Sequence, residues 1–130
     1  MTTEQKIKFF KTECQRFIDF FGLYEWQVFF KAHDLNEYAR AMCSASGYID
    51  NHQGDGQQST ISYDEEWISD KQTEPMEISM CAFHEVLELM LMKLRYFAAN
   101  NELIIQEREV DEEIHRVIRR LENKVYPLIK

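Results

Sequence analysis

Apolar residues recur at helical spacing over the first twenty positions, where Ile7, Phe10, Cys14, Phe17, Ile18 and Phe21 follow one another at steps of three, four or one. Thr2 and Gln5 have the spacing of a capping box, and Gly22 suits a left-handed stop, so a first helix is predicted from about residue 3 to 21. The period then shortens to two. Tyr24, Trp26, Val28 and Phe30 alternate with more polar neighbours, a strand pattern in strand-preferring residues. Asp34, Asn36 and Glu37 read as a turn. A second strand is predicted over Tyr38 to Ile49 and a third over Gln58 to Tyr63, with the polar loop Asp50 to Gly56 joining them as an antiparallel hairpin. Pro75, with Thr73 or Glu74 as cap, opens a second long helix that runs to about Phe97, where Ala98 to Asn101 end it. A third spans roughly Gln106 to Val125, acidic at its start and basic toward its end, as the helix dipole favours. The order implies an α+β fold: an N-terminal helix, a small antiparallel sheet of about three strands, a buried helix and a C-terminal helix.

Composition narrows the function classes. The chain has 130 residues, 45% hydrophobic and 13% aromatic, which suits one folded domain over 1–130 and excludes disorder as the main state. Fifteen Lys+Arg against 23 Asp+Glu give a net charge of -8, so a general grip on nucleic acid is not expected. No apolar run is long enough to span a bilayer, and the first residues lack a signal peptide's apolar core, so no membrane association and a cytoplasmic location are expected. Cys14, Cys43 and Cys81 are odd in number and far apart, which points away from a disulfide framework. Cys14 lies on the apolar face of its helix and reads as a buried hydrophobe.

The second long helix carries the chemistry. From Ile78 to Phe97 nearly every position is apolar except a narrow stripe holding Cys81, His84, Glu88 and Arg95, with Glu85 beside it and Lys93 apart. A carboxylate in such a place is costly unless a metal ion, an arginine or a second histidine neutralises it. His84-Glu85-x-x-Glu88 is a variant of the His-Glu-x-x-His helix of zincins, in which residues at i and i+4 hold zinc and the intervening Glu is the general base. In these terms His84 and Glu88 are metal ligands and Glu85 the catalytic base. On the third helix the apolar stripe is Val110, Ile114, Val117, Ile118, Leu121 and Val125, with Asp111 and His115 together at its border. His115 is the candidate third ligand, which Asp111 either orients or replaces; Glu112 points away. Three other readings stand beside this one. His84 and Glu88 also suit a solvent-facing i,i+4 pair closed by Arg95, and His115 an ordinary border histidine. Glu112-x-x-His115 matches one half of a di-iron motif, although the predicted strands argue against a four-helix bundle.

With the Trp26 strand, the hairpin ending in Ser59 to Tyr63, Phe83-His84-Glu85-Val86 on a buried helix and a final helix, the chain resembles zincin-like metallopeptidases of the SprT-like kind, in particular the short ones of bacteriophages. The resemblance implies a metal-dependent peptidase with zinc at the site, a peptide or protein as substrate or partner, and host cytoplasm if phage-encoded. It also makes Thr60 to Tyr63 an edge strand facing the substrate. Glu88 stands where the family has its second histidine, which moves metal preference toward Mn or Fe. The alternative within the same scaffold is a catalytically inactive module that binds a protein, to which the acidic block Glu102, Glu107, Glu109, Asp111, Glu112 and Glu113 would contribute.

Overall fold

The computed structural model describes residues 1–24, 26–33, 40–46, 58–92, 94–95 and 107–130, the side chains of residues 42–46 and 107 excepted. The turn expected at Asp34 to Glu37, the hairpin loop with His52, the helix end at Phe97 to Asn101 and Glu102 lie outside the described residues. Along the chain come α1 (Thr3–Phe21), β1 (Gln27–His33), β2 (Ala41–Ser46), β3 (Gln58–Asp64), α2 (Glu65–Ser69), α3 (Pro75–Met90), α4 (Glu107–Lys124) and α5 (Tyr126–Ile129).

The first helix forms where its pattern places it. Thr2 caps it, Gln5 returns the bond, and Gly22 closes it in the left-handed region at φ 66°. Its apolar stripe is the floor of the core: Phe10, Cys14 and Phe17 are fully buried. Opposite stands α3, whose Ile78, Ala82, Phe83, Val86, Leu87 and Leu89 are also fully buried. The Phe17 and Phe83 rings meet edge to face at 5.1 Å, and Phe83 stacks obliquely on Tyr126 at 5.2 Å. Burying one such ring is worth about 2–3 kcal/mol, so the aromatic cluster fixes the rotation of α3 about its own axis. That rotation is what turns the polar stripe of α3 away from the core.

The sheet departs from the expected antiparallel arrangement. Its strand order is β1-β3-β2, with β3 central; β2 pairs with β3 antiparallel, as the hairpin pattern implies, but β1 pairs with β3 in parallel. The alternation that reveals a strand is the same for either direction. The stretch between His33 and Gln58 exceeds the dozen or so residues that a parallel return requires, and it carries β2 to the far side of β3. Ser59, Ile61 and Tyr63 form the buried face of β3. Thr60 to Tyr63 therefore lie on an inner strand hydrogen-bonded on both sides, and the expected substrate-facing edge at these residues is not there.

A second departure concerns α3, which ends at Met90 rather than continuing unbroken toward Phe97. Leu91 adopts φ -95° and ψ 2°, outside the helical region, and helix resumes beyond it with Arg95 N–H bonding Leu91 O at 3.0 Å. No helix of the described residues is long and apolar enough to cross a membrane.

One buried polar network ties the helices together. Ser79 Oγ on α3 donates to Glu13 Oε1 on α1 at 2.7 Å and accepts from Tyr126 O–H on α5 at 2.7 Å. Arg16 closes on the same carboxylate at 2.8 and 3.0 Å. The Arg16 hydrogen bond holds the Glu13 pKa below its ordinary value of 4.5, against burial, with the Ser79 bond and the Arg16 charge adding. A depressed folded-state pKa means that the stabilisation is complete above about 4.5 and is lost as pH falls through the lower, folded value. Glu13→Ala is expected to cost about 1–3 kcal/mol at neutral pH in urea unfolding, with the gap to wild type narrowing as pH drops below that of the ordinary carboxylate. Equal unfolding midpoints at pH 7 would show the network to be dispensable.

Candidate metal centre

Helical spacing sets up the first half of the centre. His84 and Glu88 stand one turn apart on the face of α3 turned from the core, flanked by buried Phe83, Val86, Leu87 and Leu89. Ile114 and Ile118, both buried, seat α4 so that His115 comes over the same slot. The His84 and His115 rings lie 5.7 Å apart. His115 Nε2 is 3.0 Å and His84 Nε2 3.8 Å from Glu88 Oε1, and one ligand atom from each residue falls within 4.8 Å of the others. Donor atoms around a tetrahedral zinc with bonds of about 2.1 Å sit roughly 3.4 Å apart, so this cluster is of the size that a single ion requires.

The hydrogen bonds decide which imidazole nitrogens are available. His115 Nδ1 is 2.9 Å from the Asp111 carbonyl, which can only accept, so Nδ1 carries the hydrogen and Nε2 turns its other valence toward Glu88. His84 Nδ1 faces Glu122 Oε2 at 3.4 Å, leaving its Nε2 toward the same carboxylate oxygen. Both histidines thus have the backing typical of metal-bound imidazoles, one from a carbonyl and one from a carboxylate. The second oxygen of Glu88 is held separately: Arg95 Nη2 reaches Glu88 Oε2 at 3.3 Å and Asp111 Oδ1 at 3.1 Å.

Glu88 Oε1 is the anomaly. Among the described residues it is a buried carboxylate oxygen without a hydrogen-bond partner, although His115 Nε2 is near enough for an ion pair. With its hydrogen on Nδ1, a neutral His115 ring turns a lone pair rather than a donor toward that oxygen. Lone pairs facing a buried carboxylate require a cation between them, either a proton on an imidazole or a metal ion. The donor set of two imidazoles and one carboxylate fits a divalent ion.

His84 and Glu85 also line an open cleft of about 490 Å³ whose walls include Arg40, Met80, Cys81 and Glu122. Burial pushes the Glu85 carboxyl up to about 7; His84 opposes the shift, and the charges of Glu88 and Glu122 add to it. The Glu122 hydrogen bond raises the His84 pKa, against burial, with the charges of Glu85, Glu122 and Glu88 adding. Burial keeps Cys81 a protonated thiol. On the other flank of His115 lies a hollow of about 420 Å³ bordered by Asp111, Glu112, Arg116 and Arg119.

The structure thus brings His84, Glu88 and His115 together and puts Asp111 behind His115. Glu112 and Glu113 turn outward to Arg108 and Arg116, which removes the carboxylate that a di-iron reading needs. Glu122 was not among the sequence candidates. Its signal was present, since it lies seven residues after His115 and so shares that face of α4. Comparison with models of protein families, with curated proteins and with solved structures finds no match.

Protein purified without a His-tag and supplied with zinc or manganese is expected to bind about one equivalent by metal analysis, and His84→Ala to lose it. Glu122→Gln is expected to weaken zinc binding roughly 10- to 100-fold in chelator competition, as loss of an outer hydrogen bond does. Wild-type affinity in Glu122→Gln would show that the carboxylate does not hold the ring.

Proposed function

We propose that this chain is a metal-dependent peptidase of the SprT-like kind, with His84, Glu88 and His115 as ligands and Glu85 as general base. The observation that carries the reading is the unpartnered Glu88 Oε1 between two imidazole Nε2 atoms, beside a cleft into which Glu85 opens. Peptide as substrate comes from the resemblance of the His84-Glu85-x-x-Glu88 helix to that family.

A divalent ion held there supplies Lewis acidity, polarising a carbonyl and acidifying a water. The chain's own residues do the rest. Glu85, with a pKa raised by burial toward working pH, is suited to take a proton from an attacking water and return it to the leaving amine. Arg95 offsets the Glu88 charge and keeps one of its oxygens facing the histidines. Asp111 and Glu122 hold the two rings from behind, so that ligand geometry does not have to be assembled at each turnover. Two nitrogens and one oxygen suit zinc and leave manganese or iron admissible.

A second reading, a catalytically inactive module that binds a protein, is favoured by Arg95, which already meets one Glu88 oxygen with a charge of its own. Glu85→Gln separates the two. In the peptidase it keeps the metal and lowers kcat on fluorogenic peptides by about 100-fold or more, the usual contribution of a general base. Metal-loaded protein whose peptide hydrolysis is the same in wild type and Glu85→Gln would be no peptidase of this mechanism.

A further inference from the structure

Arginines on the surface of this chain mostly have acidic partners: Arg16 pairs with Glu13, Arg95 with Glu88 and Asp111, Arg108 with Glu112 and Arg116 with Glu113. Arg40 does not. Among the described residues its guanidinium meets no carboxylate and instead lies over the Trp67 ring, 5.2 Å from the centroid. Arg119 and Arg120 also have no acidic partner there, but neither is braced by a ring.

Both sides of that stack are anchored. The Arg40 carbonyl accepts from Asp64 N–H at 2.9 Å, which fixes the backbone where it enters β2. Trp67 sits on α2 next to the fully buried Ile68, and its carbonyl accepts from Thr73 Oγ1 at 2.6 Å. Arg40 is the one cation lining the cleft among the described residues, and the same cleft is lined by His84 and Glu85. A guanidinium whose face is covered by an indole keeps its N–H edges free, and those edges form a fork that matches a carboxylate. Holding the plane in place beforehand reduces the ordering cost of that contact. Glu77, Glu85 and Glu122 line the same cleft, yet among the described residues none of them pairs with Arg40, which leaves its fork for a carboxylate that arrives with a ligand.

We propose that Arg40 is the specificity residue of the cleft and receives a carboxylate of the peptide substrate, either an acidic side chain or the chain terminus. The proposal rests on the peptidase reading for the identity of the ligand as a peptide, and it is tested by binding rather than turnover. Zinc-supplied Glu85→Gln protein is titrated into labelled alanine–leucine heptapeptides in which one Glu is moved through every position, into the matching Gln peptides, and into versions with free and amidated C-termini. At least one carboxylate placement is expected to bind about tenfold tighter than its neutral counterpart, the usual yield of a charged hydrogen bond. The preference is expected to fall to near unity in Arg40→Gln and to return in part in Arg40→Lys. A gain in the Glu scan assigns the side chain; a gain confined to free C-termini assigns the chain end. A preference that survives Arg40→Gln, equal binding of acidic and neutral peptides, or binding of none overturns the proposal. Cleavage is measured separately with Glu85 intact: an Arg40-dependent preference without cleavage of any peptide removes the peptidase reading and leaves the carboxylate receptor standing.

Discussion

A buried carboxylate that faces two imidazoles is the constraint around which this chain is organised. Glu88 is 8% exposed on a helix where Leu87 and Leu89 beside it are core, so its charge has little access to bulk water and must be met largely from inside the protein. Arg95 meets one oxygen and the histidines crowd the other, with Asp111 and Glu122 behind the two rings. Removing any one partner leaves the others uncompensated, which costs more than the pairwise contact itself.

The rest of the fold holds that helix still. Phe17, Phe83 and Tyr126 lock α3 against α1 and α5, and the Glu13, Ser79 and Tyr126 network repeats the connection in polar contacts. Lys6 extends it to the approach of α3, donating to the carbonyls of Asp70 and Thr73 at 2.8 and 3.1 Å. One side of α3 is thus specified by packing and hydrogen bonds, and the other is free to carry chemistry.

Periodicity made the helices legible, and with them the slot: His84 and Glu88 share a face because of their spacing, and His115 with Asp111 borders an apolar stripe that must be buried somewhere. The cap residues Thr2, Gln5 and Gly22 made the bounds of α1 readable to the residue. Strand direction was not legible, since alternation places side chains on faces and is silent on which neighbour a strand takes. The interruption at Leu91 leaves no mark in composition, because leucine is an ordinary helix residue and the break is set by what surrounds it. Glu122 was hidden among many exposed acids, and only its position relative to His115 distinguishes it. Arg40 was invisible for a different reason: its role depends on Trp67, a partner distant in sequence.

The central place of β3 carries a kinetic consequence. Both of its neighbours precede it in the chain, so no ladder of this sheet can close until synthesis has passed Asp64, and the first helix, which meets Phe30 and Tyr63 of the sheet through Phe10 and Phe83 of α3 through Phe17, is not covered until the sheet and then α3 follow. Contacts of that sequence separation must overcome loop-closure entropy before any burial compensates it, which slows folding relative to a helical chain of equal length. During synthesis the aromatic stripe of α1 therefore waits exposed until the sheet and α3 have emerged, and its protection in that interval falls to the ribosome surface or to chaperones.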